Sequence, residues 1–166
     1  MELLRQAVFA QRVAYPDIPV TFEEPKGPIP LLCDGRMIGQ ALANVLKNAG
    51  ESVMSRRASD PGHAGGLTVS VALTPRLATF EIEDSGVGLP ARDRERLTEP
   101  YVTTREKGTG LGLAIVKRIM EEHGGELELT DARHPPGALA RLSLPRPHAP
   151  HANSLQPDGR PAASET

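Results

Sequence analysis

Residues 67–83 read as two cleanly alternating runs joined only by Thr74-Pro75-Arg76. Leu67, Val69, Val71 and Leu73 share one face of the first, and Ala78, Phe80 and Ile82 share one face of the second. A period of two means strands, each with one apolar face that must lie against a second layer. Residues 126–130 and 138–144 supply another strand pair, while 18–22 and 30–33 read as short strands separated by the turn-rich Pro25-Lys26-Gly27-Pro28.

Helical spacing supplies the second layer. Leu3, Leu4, Ala7, Val8 and Gln11 form a first helix closed by Tyr15-Pro16. Asp34 offers an N-cap to a long helix reaching about Ser55, whose stripe is Ile38, Ala41, Leu42, Val45, Leu46, Ala49 and Val53. Leu111, Ala114, Ile115, Ile119 and Met120 mark a third helix, stopped by Gly124-Gly125. The segment 56–66 reads as a polar loop, and the glycine-broken, charged stretch 85–112 has no sustained period. This order predicts an α+β two-layer sandwich, a mixed or antiparallel sheet packed on helices, rather than the βαβ alternation of a doubly wound fold. At 166 residues there is room for one domain, expected over 1–144. From Pro145 five prolines, one Leu and no aromatic predict a disordered tail, 145–166.

Composition narrows the function classes. Aromatic residues are 3% of the chain against 39% hydrophobic, so the core is aliphatic. A net charge of −2 offers no bulk attraction to nucleic acid or anionic membrane. No apolar run approaches the roughly 18–20 residues of a membrane span, and Met1-Glu2-Leu3-Leu4-Arg5 does not open a signal peptide. One cysteine, Cys33, excludes an internal disulfide framework, suits a reducing cytoplasm and reads as a small buried side chain. The five histidines are scattered, with no metal-ligand spacing among them.

Three clusters carry the chemistry. Asn44, Asn48 and Glu51 fall within about 60° of one another on the long helix, roughly 140° from its apolar stripe, so they face either solvent or a ligand. Asp84-Ser85-Gly86-Val87-Gly88 follows a strand whose apolar parity Asp84 continues. An inward carboxylate must accept hydrogen bonds, from an exocyclic amine such as that of adenine or from local N–H groups in a turn. The glycines let another molecule approach closely. Gly108-Thr109-Gly110-Leu111-Gly112-Leu113 leads alternate glycines into a helix N-terminus, an arrangement that binds phosphate or serves as a hinge. Seven Lys or Arg against four Asp or Glu over residues 91–118 favour a polyanionic ligand. The spacing fits neither a Rossmann fingerprint nor a Walker A loop, which needs a Gly-Lys pair that this chain lacks.

Together these clusters resemble the nucleotide-binding fold shared by DNA gyrase, heat-shock chaperone ATPases, histidine kinases and MutL-type repair proteins. Asn44-Val45-Leu46-Lys47-Asn48-Ala49 looks like the N box, Asp84-Ser85-Gly86-Val87-Gly88 the D-x-G-x-G box, and the run from Gly108 to Leu113 the second glycine box of histidine kinases. Glu99-Pro100-Tyr101-Val102-Thr103-Thr104 resembles their F box, with Tyr101 where Phe is usual. The resemblance covers about residues 12–144, and 96–125 is most similar to nitrogen-regulation sensor kinases.

The resemblance implies an ATP-binding catalytic domain of a two-component sensor histidine kinase. Asp84 would take the adenine amine in a pocket shaped by Gly86 and Gly88, and Asn48 the magnesium bridging the phosphates, supported by Asn44. Glu51 would lie in the same ATP site. Thr104, Arg105, Lys107 and the backbone of Gly108, Thr109, Gly110, Leu111, Gly112 and Leu113 would form a lid, with Asn44, Arg105 and Lys107 assigned to catalysis. Hydrolytic and anti-sigma serine-kinase relatives typically carry Glu at the Asn44 position as general base, so Asn44 favours transfer to histidine over a stand-alone ATPase or serine kinase. A nucleotide-binding module without chemistry is the third alternative. No acceptor segment (His-Glu/Asp with a helical Pro turn) is present, so the expected reading is a cytoplasmic, monomeric fragment of a longer kinase. Its partners would be a separate dimerisation and phosphoacceptor domain and a downstream response regulator.

Overall fold

A strand with one apolar face and a helix with one apolar stripe solve each other's problem, and the core forms where they meet. The computed structural model describes residues 1–102 and 108–147. Three helices, α1 (Glu2–Ala14), α2 (Gly35–Ser59) and α3 (Gly112–Glu122), pack on one face of a five-stranded sheet. The strands are β1 (Val20–Phe22), β2 (Leu67–Leu73), β3 (Leu77–Asp84), β4 (Glu126–Asp131) and β5 (Ala138–Pro145), in the order β1-β2-β3-β5-β4. The sheet is mixed: β1 runs parallel to β2 and every other pair is antiparallel. A parallel neighbour needs a crossover, and α2 is that crossover.

The stripe expected on α2 is buried throughout, with Ala41, Leu42 and Val53 at 0% exposure. It meets Leu67, Val69, Phe80, Ile82, Ala140 and Leu142 from the sheet. Asp34 caps α2 as its position predicts, accepting from the Arg36 and Met37 amides at 2.8 and 3.2 Å. Those bonds, with the Arg36 and His123 side chains nearby, hold its carboxyl below the usual range. Cys33 is partly buried against the core, and burial pushes its thiol up.

Two expectations need correction. Residues 30–33 form no strand: Pro28 and Pro30 have no N–H for a ladder, and Leu32 is 91% exposed. α2 also runs to Ser59 rather than about Ser55. Arg56 and Arg57 extend it by donating to distant carbonyls, Arg56 to Ser85 and Pro136, Arg57 to Asp17 and Gly65. At the far end β5 includes Pro145, and Arg146 donates its amide to the Arg76 carbonyl. The rest of the expected tail, from His148, lies outside the described residues. No described helix is long and apolar enough to cross a membrane.

The other face of the sheet is polar and laced with ion pairs. Arg141 bridges Glu81 at 3.0 Å and Glu128 at 2.9 Å, and Arg133 reaches both Glu81 and Glu83. Burial pushes the Glu81 carboxyl up, but hydrogen bonds from Arg141 and Arg133 outweigh it and leave the group below its ordinary value of 4.5. A depressed folded-state value contributes stability above the unfolded value, and that stability is lost as pH falls through the folded one. Glu81→Gln should therefore be less stable than the parent at neutral pH, with the gap closing as pH drops below 4.5. Urea midpoints measured from pH 7 to about pH 3 check this. A gap that stays constant across the range would contradict it.

Candidate nucleotide site

The site forms where three chain segments end on the same side of the core. α2 presents its polar face there, β3 ends in Asp84, and α3 begins at Gly112. Between them lies a cleft of about 820 Å³, large enough for a nucleotide. Asn44, Asn48 and Glu51 line one wall, Asp84 and Gly88 the inner end, and residues 108–113 the rim. The asparagine face therefore borders this cleft, with Asn44, Asn48 and Glu51 each half-buried. Thr104, Arg105 and Lys107 lie outside the described residues.

Around Asp84 and Ser52 the cleft has apolar walls. Val45, Ile82, Leu129, Ala138 and Ala140 contribute its walls. Asp84 is 6% exposed, and its Oδ1 accepts from the Gly86 amide at 2.8 Å and from the Ser52 hydroxyl at 3.1 Å. Burying a carboxylate is tolerated when donors converge on it. The glycines here are sterically required. A Cβ on Gly86 would sit 2.2 Å from Ser52 Oγ, and one on Gly137, across the pocket floor, 2.0 Å from the Asp84 carbonyl oxygen. Gly86 thus stands behind the wall, while Gly88, at φ +80°, turns the chain along the cleft lining.

The turn after Asp84 is clamped from outside the cleft. The Ser85 carbonyl lies 2.7 Å from His63 Nε2 and 3.1 Å from Arg56 Nη1, and the Ser85 hydroxyl accepts from the Gly66 amide at 2.9 Å. Arg94 secures the next stretch with paired 2.9 Å bonds to Asp131 and a third to the Pro90 carbonyl.

At the rim, Leu111 is the N-cap of α3, and no side-chain hydrogen bond caps the helix. Leu111, Gly112 and Leu113 line the cleft there, so the positive end of the helix dipole borders it. A Cβ on Gly112 would lie 3.7 Å from Asn48 Nδ2 and 3.9 Å from Asn44 Oδ1, so both amide side chains converge on that helix start. Tyr101 donates its backbone amide to the Gly110 carbonyl at 3.0 Å, tying together the chain on either side of residues 103–107. Gly110 is at φ +67°, and a Cβ there would sit 2.6 Å from the Tyr101 carbonyl carbon.

Sequence reasoning missed Ser52, Arg56 and His63. Ser52 lies one turn beyond Asn48 on the polar side of α2, a spacing that could have flagged it. Arg56 and His63 act through backbone carbonyls that no local pattern reveals.

The same fold occurs in known proteins. Residues 33–148 match the sequence profile described as "Histidine kinase-, DNA gyrase B-, and HSP90-like ATPase". The chain is 48% identical over 143 residues to the nitrogen regulation protein NtrY of Azorhizobium caulinodans, covering 86% of this chain and 18% of that protein. Among solved structures, the mycobacterial sensor histidine kinase MprB superposes with a TM-score of 0.73 at 28% identity, over 89% of this chain and 96% of that one. Full-length ShkA in complex with AMPPNP gives a TM-score of 0.73 at 26% identity, over 89% of this chain and 30% of that one. With a cleft walled by the polar face of α2, the end of β3 and the start of α3, the chain belongs to the histidine kinase-, DNA gyrase B- and HSP90-like ATPase family.

Proposed function

We propose that this chain is the catalytic part of a sensor histidine kinase, binding ATP with magnesium and passing the γ-phosphoryl group to a histidine on a separate dimerisation and phosphoacceptor domain. A response regulator would stand downstream, and the isolated domain would work in the cytoplasm as a monomer. The observation that carries the reading is Asn44, an amide that lines the cleft beside the start of α3. A carboxylate there could deprotonate water or a hydroxyl, whereas an amide takes no proton near neutral pH. A neutral imidazole is already a nucleophile and needs no such base.

The cleft supports the orientation of the nucleotide. Its inner end offers apolar walls and one carboxylate, matching a flat base with an exocyclic amine. Its rim offers helix-start amides, matching phosphate. Asn48 would hold the metal that accompanies the phosphates, with Asn44 supporting it. Their neutral amide oxygens suit a hard cation delivered by its phosphate ligands, and no group of three or more His, Cys, Asp or Glu that could hold a metal occurs among the described residues. Magnesium would neutralise charge on the phosphates. Thr104, Arg105 and Lys107, in sequence next to the rim, are assigned to cover them. Glu51, paired with Lys47 at 3.9 Å, borders the same space. Catalysis would rest on placement and charge neutralisation rather than on a protein base.

The direct test is incubation with γ-labelled ATP, magnesium and a separately produced phosphoacceptor domain of a nitrogen-regulation sensor kinase. Label should appear on that partner as acid-labile phosphohistidine, with none retained on this chain. Rapid release of free phosphate, or acid-stable phosphoserine, would instead make the chain a hydrolase or serine kinase.

Asn48→Ala should weaken ATP binding by about tenfold in magnesium and far less in EDTA, because the side chain acts through the metal. Calorimetry in the two buffers checks this, and an equal loss in both would remove Asn48 from the metal site.

A further inference from the structure

We infer that Ser52 is a specificity-determining residue, positioning Asp84 so that the pocket reads the amine of the base. This rests on the proposed role of Asp84 in holding adenine. Ser52 is 6% exposed, on the side of α2 that meets the turn after β3. Its hydroxyl accepts from the Val87 amide at 3.2 Å and donates to Asp84 Oδ1 at 3.1 Å. A hydroxyl has one proton, so accepting from Val87 leaves that proton for the carboxylate and fixes the direction of the bridge. The Gly86 amide donates to the same Oδ1 at 2.8 Å. Rotating the Asp84 carboxylate would break both bonds at once.

The arrangement does more than tie a helix to a loop. Ser52 follows Asn48 by one turn and Asn44 by two, so one rigid helix carries both the asparagine pair at the start of α3 and the serine that aims the acid. The hydroxyl also needs the glycine opposite it, since a Cβ at Gly86 would stand 2.2 Å from Ser52 Oγ. Deleting the hydroxyl leaves the aliphatic packing of α2 in place but removes a donor that orients Asp84. The loss should therefore fall on recognition of the amine rather than on binding in general.

Affinities for ATP and for purine riboside 5′-triphosphate, which lacks the exocyclic amine, separate these effects. They are measured by calorimetry with magnesium on the full chain. The unmodified protein should prefer ATP, Asp84→Asn should abolish the preference, and Ser52→Ala should shrink it about three- to tenfold while the analogue binds as before. Ser52→Cys, close in shape but a poor donor, should shrink it as well and serves if the alanine variant does not fold. In the Ser52→Ala, Asp84→Asn double variant the preference should fall no further than with Asp84→Asn alone. If the parent binds both nucleotides equally, the base-reading role of Asp84 falls and this inference with it. If Asp84→Asn abolishes the preference but folded Ser52→Ala and Ser52→Cys keep it, or weaken both nucleotides alike, Ser52 is only a structural tie and this inference alone fails.

Discussion

Asp84 is the only acidic residue buried among those described, and three segments meet through its carboxylate. β3 delivers it to the inner face of the sheet, the glycine turn donates an amide to it, and α2 donates the Ser52 hydroxyl. A carboxyl group at 6% exposure is expensive to bury without donors, so its surroundings are tightly constrained. Gly86 and Gly137 have no side chains because there is no room for one beside this group or its backbone. The outer clamps of Arg56, His63 and Arg94 then keep the following turn from drifting. Much of the cleft's shape follows from the need to satisfy one acid.

Where a residue's neighbours lay within a few positions, the sequence was readable. The period of two in β2 and β3, the buried stripe of α2 and the Asp34 cap each depend on local spacing. The shared face of Asn44, Asn48 and Glu51 was likewise legible, because a helix places such groups by geometry alone. That this face borders a cleft rather than open solvent depends on β3 and α3, which lie far away in the chain. Residues 30–33 looked like a strand because the run is short and apolar, and such runs are ambiguous without a partner strand. The last turn of α2 looked like loop because its arginines serve carbonyls up to 80 positions away. Ser52 was silent for the same reason: its partners lie 32 and 35 positions on.

The sheet divides its labour between faces. The inner face is aliphatic and supplies the cohesion that an aromatic-poor chain must find elsewhere. The outer face carries alternating acids and arginines, each arginine spanning two strands or a strand and a loop. Exposed ion pairs contribute little singly, but Glu81 is only 14% exposed and is bonded by two guanidinium groups, so it is the member of the set whose charge matters to stability.

The edges of that sheet have a consequence for crowding. One edge, β1, is three residues long, too short to template much pairing. The other, β4, exposes Glu126 and Glu128 on alternate positions and ends in Asp131. Two copies approaching strand to strand along β4 would bring these acids against their own counterparts, a repulsion that grows with every residue of overlap. A domain held beside a second copy of itself at high local concentration could therefore collide with it repeatedly without zipping into a continuous sheet.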